Sequence, residues 1–177
     1  MNDVLLCDEN GTVTGSKDRT EAHRGTGMLH RAFSVFVFRN NGAELLIQKR
    51  SREKSLFPLI WANSCCSHLR EGEEVVAAGE QRLKEEFGLT CALKKGPSFV
   101  YRAEDPGKRG TEYEYDTLLA GHLTGDASLS PDPKEVAEWK WLSLKELESE
   151  MRRAPLEFAP WFYLGLAIIL KSPLARA

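Results

Sequence analysis

Residues 73–89 read Glu73-Glu74-Val75-Val76-Ala77-Ala78-Gly79-Glu80-Gln81-Arg82-Leu83-Lys84-Glu85-Glu86-Phe87-Gly88-Leu89. Val75, Val76, Gly79, Leu83 and Phe87 recur at roughly the i, i+4 spacing that lines one face of a helix. Gly88 supplies the stop, because a glycine just past the last turn accepts the left-handed conformation that ends a helix. The spacing therefore predicts one amphipathic helix over residues 73–87. The segments on either side have the shorter period of strands, and that contrast sets the fold class.

Upstream, Val4 to Cys7 and Thr12 to Thr14 flank Asn10-Gly11, the signal of a small hairpin. A polar stretch from Ser16 to Thr26 follows. The β-branched and aromatic run Leu29 to Phe38 then turns at Asn41-Gly42 into Leu45 to Ile47, a second hairpin. The basic loop Lys49-Arg50-Ser51-Arg52-Glu53-Lys54, interrupted at Phe57-Pro58, leads to a short extended segment from Trp61 to His68. Downstream, Phe99 to Ala103 and Thr111 to Ala120 are strand-like runs around the turn Asp105-Pro106-Gly107. Glu138 to Leu142 adds a strand, Ser143-Leu144-Lys145-Glu146 reads as a capping box, and Pro160 stands where helices commonly begin, so two helices close the chain. Strands and helices interleave without regular βαβα spacing. The expectation is an α/β (α+β) fold, a mixed β-sheet sandwiched by helices, in a single domain over residues 1–177.

A net charge of -2, with Lys and Arg scattered, gives no electrostatic reason to expect nucleic acid or an anionic membrane. The apolar run Trp161 to Leu170 falls far below the roughly 20 residues needed to span a bilayer and reads as a core helix. A small-molecule partner is expected. The four cysteines (Cys7, Cys65, Cys66, Cys91) include an adjacent pair poorly placed to bridge to itself, and no secretory leader is read ahead of them. Reduced thiols and a cytoplasmic location follow as expectations.

His23, His30 and His68 lie in short, turn-bounded contexts, and Glu112 and Glu114 are two apart on a predicted strand, so the pleat puts both carboxylates on one face. Three imidazoles and two carboxylates make a mixed nitrogen and oxygen set suited to zinc, manganese or magnesium-like ions, with more ligands than tetrahedral zinc requires. On the residues alone the commoner reading stays open: surface histidines and a solvated strand face. Cys66 and His68 likewise share a face of an extended segment, with Cys65 on the other. A thiol is mostly protonated at neutral pH and a carboxylate mostly ionised, so Cys66 and Glu114 can form an acid and base pair, against the plainer reading of a buried inert cysteine.

The order of Ala22-His23, Leu29-His30-Arg31-Ala32-Phe33, Asn63-Ser64-Cys65-Cys66-Ser67-His68, Tyr101-Arg102-Ala103, Glu112-Tyr113-Glu114 and Pro160-Trp161 resembles the type I isopentenyl-diphosphate isomerases across nearly the whole chain. The resemblance implies a Nudix-like fold and an isomerase that interconverts isopentenyl diphosphate and dimethylallyl diphosphate by protonation and deprotonation, in isoprenoid biosynthesis. It implies that His23, His30, His68, Glu112 and Glu114 hold one tightly bound divalent metal, manganese or zinc with magnesium as the alternative. It further implies Cys66 and Glu114 as the proton carriers, Tyr101 as a hydroxyl assisting Glu114, and Trp161 as an indole over the reacting carbons. Arg19, Arg50, Lys54 and Arg82 match the positions that hold the diphosphate, and Glu86 the glutamate that takes a second ion, Mg²⁺, with it. No membrane or nucleic-acid partner is implied, and the expected state is a monomer or weak homodimer.

The helix adds a comparison with the Nudix hydrolases, whose box reads G-x5-E-x7-R-E-U-x-E-E-x-G-U, U being a bulky aliphatic. Glu73, Glu85, Glu86, Gly88 and Leu89 fit it, but Ser67 stands at the first Gly, Gln81 at the Arg and Arg82 at a metal-binding Glu. A guanidinium there should damage hydrolysis while adding a bidentate donor for diphosphate oxygens, which favours the isomerase over a pyrophosphohydrolase or a metal-stabilised binding module. Isomerases of this type commonly carry Trp-Pro-Gly where this chain has Phe57-Pro58-Leu59, and Cys-Gly-His-Pro where it has Cys66-Ser67-His68-Leu69. Serine in place of that glycine is costly only if the backbone there needs positive φ.

Overall fold

The structure, a computed structural model, describes residues 3–125 and 127–176. Its strands are β1 (Asp3–Cys7), β2 (Val13–Asp18), β3 (His30–Arg39), β4 (Glu44–Arg50), β5 (Trp61–Ala62), β6 (Cys65–His68), β7 (Leu93–Glu104), β8 (Thr111–His122) and β9 (Val136–Ser143), all in one sheet. The helices are α1 (Arg19–Ala22), α2 (Val75–Phe87), α3 (Leu144–Arg153) and α4 (Pro160–Ile169). The sheet is mixed: β3 runs parallel to β8 over His30–Phe38 and antiparallel to β6 along its other edge, while β7 pairs antiparallel with β8, and β9 with β4.

β3 explains why its sequence reads as a continuous apolar run: eight of its ten residues are buried, because both faces of the sheet are covered. On one face Phe36, Phe38 and Leu118 pack against Leu147 and Met151 of α3 and Trp161, Phe162 and Ile169 of α4. On the other, Phe33, Val35, Val37 and Leu119 pack against Val75, Leu83 and Phe87, the apolar stripe of α2. Each such side chain contributes about 1.5–3 kcal/mol of burial, so the two layers drive the sandwich. Gly88 ends α2 at φ 64°, the left-handed cap its position predicts, and Ser143 and Glu146 form the capping box that starts α3.

The structure departs from the expectations in two places. The polar stretch after the first hairpin holds a one-turn helix, α1, whose first N–H groups at Thr20 and Glu21 donate to the Asp18 carboxylate at 2.9 and 3.2 Å. β7 begins at Leu93, six residues before the apolar run, because a register shift between Lys95 and Ser98 absorbs Gly96-Pro97 within the pairing. As expected of a core helix, α4 sends Trp161, Phe162 and Ile169 into the core, while Leu164 on its outer side is 46% exposed. No described helix is long and apolar enough to cross a membrane.

Candidate active site and metal centre

The site forms on the α3/α4 face of the sheet, at the end where β3 begins. Period-two alternation and register place its parts: His30 is paired with Glu114, Glu114 with Tyr101, Ala32 with His68, and Ser34 with Cys66. Paired residues share a face, so His30, His68, Cys66, Tyr101 and Glu114 all arrive on one side, from strands flanking both edges of β3. Cys65 turns to the opposite layer, fully buried with Leu83 and Phe87 of α2. His23 comes from the end of α1, where its N–H donates to Arg19 O at 3.1 Å and Thr111 N donates to its carbonyl at 2.9 Å. The unpredicted one-turn helix therefore positions one of the predicted ligands.

His23, His30, His68, Glu112 and Glu114 each offer an atom to one cluster, and these atoms all lie within 4.8 Å of one another. The imidazole centroids stand 4.9–5.1 Å apart. His23 Nε2 lies 2.8 Å from Glu112 Oε2, His68 Nε2 3.0 Å and His30 Nε2 3.5 Å from Glu114 Oε1. Among the described residues, Nε2 of His23 and His30 and Oε2 of Glu112 are buried without a hydrogen-bond partner. Buried polar atoms left unpaired cost about 1–3 kcal/mol each, so lone pairs aimed at a common centre fit an ion. His30 Nδ1 donates to Met28 O at 2.7 Å, which fixes the tautomer that leaves Nε2 free to ligate. The donor set, nitrogen and carboxylate oxygen, binds divalent metal.

Around this centre lies a cleft of about 130 Å³ lined by Arg19, Arg50, Lys54, Arg82, Cys66, Tyr101 and Trp161 together with exposed edges of the cluster. Tyr101 Oη donates to Glu114 Oε2 at 2.5 Å. Burial opposes ionisation of Glu114, but the adjoining His30 and His68 outweigh it and hold the carboxyl well below its usual range. Burial and the neighbouring Glu114 push the Tyr101 phenol well above its usual value. Burial also pushes the Cys66 thiol up to about 12, despite the Arg50 guanidinium 3.7 Å from its sulfur and the charge of Lys54. The cleft therefore carries a protonated thiol and an ionised carboxylate.

Trp161 is 3% exposed and clamped edge-on by Phe57 at 5.1 Å, with Nε1 donating to Asn63 Oδ1 at 3.2 Å and the Arg50 guanidinium 5.5 Å over its ring. Arg50 is itself aimed by donating to Phe57 O and Leu56 O, each at 3.0 Å. Those carbonyls belong to a loop tied down by Asp105, which accepts from Phe57 N at 2.7 Å and from the Arg109 guanidinium at 2.7 and 2.9 Å. Ser67 sits outside the positive-φ residues, whereas Leu59, at the position commonly glycine, has φ 59°.

Glu86 and Arg82, expected at the diphosphate, pair with each other. Glu86 is 2% exposed and lies apart from the His/Glu cluster, taking donation from Gln48 Nε2 at 3.0 Å and Arg82 Nη2 at 2.6 Å. Arg82 also reaches Glu85 at 3.2 Å and Glu135 at 3.0 Å, so carboxylates engage the guanidinium expected to be a free bidentate donor. Three residues of the site escaped the sequence reading. Arg70 and Glu135 line the cleft from loops that carried no periodic signal. Asp116, one alternation beyond Glu114, is fully buried, its carboxyl pushed well above the usual range by burial and by the charge of Glu114, with Ser34 Oγ donating to it at 2.7 Å. The run Glu112, Glu114, Asp116 was the available signal for the last.

Comparison with known proteins agrees with this architecture. The family model described as NUDIX domain matches residues 28–162. An isopentenyl-diphosphate Delta-isomerase from Halorhodospira halophila is 40% identical over 92% of this chain and 91% of its own length. One from Nocardia farcinica is 42% identical over 89% of each chain. Among solved structures, DR0079 from Deinococcus radiodurans superposes with a TM-score of 0.71 at 22% identity, over 94% of this chain and 98% of its own, a likeness of fold.

Proposed function

The chain belongs to the NUDIX domain family and, within it, to the isopentenyl-diphosphate Delta-isomerases, and on that premise we propose that Cys66 and Glu114 move the two protons of the reaction. The enzyme interconverts isopentenyl diphosphate and dimethylallyl diphosphate in isoprenoid biosynthesis. Its substrate carries an unactivated alkene. Protonating the terminal carbon develops positive charge at a tertiary carbon, and loss of a proton from the neighbouring methylene completes the shift.

Cys66 and the Tyr101/Glu114 pair enter one cleft from strands on opposite edges of β3, and that convergence carries the proposal. In the resting site the thiol is the group with a proton to give and the carboxylate the group able to receive one; the reverse reaction exchanges the roles. The buried Trp161 face stabilises the transient cation by about 1–2 kcal/mol once water is excluded. Arg19, Arg50, Lys54 and Arg82 hold the diphosphate. A divalent ion held by His23, His30, His68, Glu112 and Glu114 supplies fixed positive charge that orients Glu114 and keeps it ionised; we assign it as manganese or zinc, with magnesium as the alternative. Glu86 would hold a further Mg²⁺ that accompanies the diphosphate. We assign the whole of residues 1–177 to one domain, acting as a monomer or weak homodimer, and a cytoplasmic location suits its four free thiols.

Proton NMR of isopentenyl diphosphate incubated with metal-loaded protein in D₂O tests the proposal. Dimethylallyl diphosphate carrying solvent deuterium is expected, with the rate falling on the order of a thousandfold in Cys66→Ala and persisting in Cys65→Ala. Release of phosphate without double-bond migration would overturn it in favour of hydrolysis.

A further inference from the structure

Glu135 is a carboxylate inside a cleft built to take an anion. Both of its oxygens are engaged there: Lys54 Nζ donates to Oε2 at 2.5 Å, and Arg82 Nη2 lies 3.0 Å from Oε1. The backbone pins it in place, since Glu135 N donates to Asp132 O at 3.0 Å and Ser51 N donates to Glu135 O at 2.8 Å. That second bond joins the start of β9 to the loop carrying Lys54. The side chain is 25% exposed, so the two ion pairs are only partly screened by water.

Lys54 and Arg82 are two of the four cations assigned to the diphosphate. Most of the Arg82 donors are already taken: Nε and Nη2 by Glu86 at 3.1 and 2.6 Å, Nη1 by Glu85 at 3.2 Å, and Nη2 again by Glu135. An incoming diphosphate must share or displace these contacts. We infer that Glu135 is a resident anion of the diphosphate clamp, holding Lys54 and Arg82 in place and competing with the substrate for them, so that it sets the affinity of the site. The inference rests on the clamp assigned above. Its chemical sense lies in the reaction: substrate and product carry the same diphosphate, and gripping both more tightly adds nothing to the chemical step while slowing release. A carboxylate already seated between the cations weakens the grip on both.

Calorimetric titration of the full chain with inorganic pyrophosphate, in excess Mg²⁺ and again in chelator, tests this independently of isomerisation. Glu135→Gln should bind pyrophosphate about three- to tenfold more tightly than the native chain, with the KM for isopentenyl diphosphate falling in step. Glu135→Asp, which keeps the charge, should stay near the native value. So should Glu138→Gln, which removes an exposed carboxylate paired with Lys49. Glu135→Ala serves the same comparison if the Gln variant fails to fold. Unchanged or weaker binding by Glu135→Gln would overturn the inference, as would weakening confined to Mg²⁺, which would make Glu135 a ligand of the ion accompanying the diphosphate. A native chain that binds no pyrophosphate under either condition would instead bring down the clamp and the proposed function together.

Discussion

Cys65 and Cys66 are identical side chains one pleat apart, one sealed against α2 and the other facing Arg50 in the cleft. Alternation alone separated them in the sequence, and it also put Glu112 and Glu114 on one face. Residues whose positions depend on partners far along the chain gave no such signal. Asp105 read only as part of a turn, yet it is 1% exposed and joins the β7–β8 turn to Phe57, whose carbonyl aims Arg50. Burial opposes its charge, but donation from Arg109 and the Phe57 and Arg109 N–H groups outweighs that and holds the carboxyl below its usual value. A depressed folded value means fewer protons bound when folded. The stabilisation is therefore complete above the ordinary aspartate range, near 4, and is lost as pH falls through that range towards the folded value. Asp105→Asn should cost about 1–3 kcal/mol at pH 7 by urea unfolding, with the gap to the native chain narrowing below about pH 4. A gap that is constant with pH would contradict this account of Asp105.

At the scale of elements, periodicity located α2, apolar and β-branched runs bounded by turns located β3, β4 and β8, and a capping box located the start of α3. Periodicity failed at α1, whose four residues bury only Ala22 and whose helical form is set by the Asp18 cap. It also failed along β7, where Gly96-Pro97 reads as a break. The loop from Ser51 to Ile60 was legible as basic but not as shaped. Phe57 and Leu59 both adopt left-handed backbone there, at φ 48° and 59°, with Leu59 N donating to Arg50 O at 3.0 Å. That conformation costs a non-glycine residue about 1–2 kcal/mol, and a well-tied loop can sustain it. Leu59→Gly should relieve the strain and, after the extra freedom glycine gives the unfolded chain, raise stability by roughly 0.5–1 kcal/mol. A shift of the urea midpoint upward at unchanged slope is the expected result; a downward shift would mean that the contacts of the exposed leucine side chain matter more than its backbone.

Across the whole molecule, a sheet covered on both faces delivers side chains from α1, β3, β6 and β8 to one point, with Trp161 of α4 closing the cleft beside it. The members of the His/Glu cluster were legible through residue type and order; their convergence was not, since His23 and Glu114 are brought together only by the completed sheet. An ion bound there ties α1 to three strands, so its removal should loosen the whole fold. At a metal concentration a thousandfold above Kd the linked stabilisation is about 4 kcal/mol. Chelation should then lower Tm on the order of 10 °C for a chain of this size, with no change if the cluster holds no metal. The most direct test of the central claim is X-ray absorption spectroscopy of the manganese- or zinc-loaded protein. We predict a nitrogen and oxygen shell with the outer-shell signature of three imidazoles, reduced to two in His30→Ala; a shell with at most one imidazole, or one that His30→Ala leaves unaltered, would contradict it.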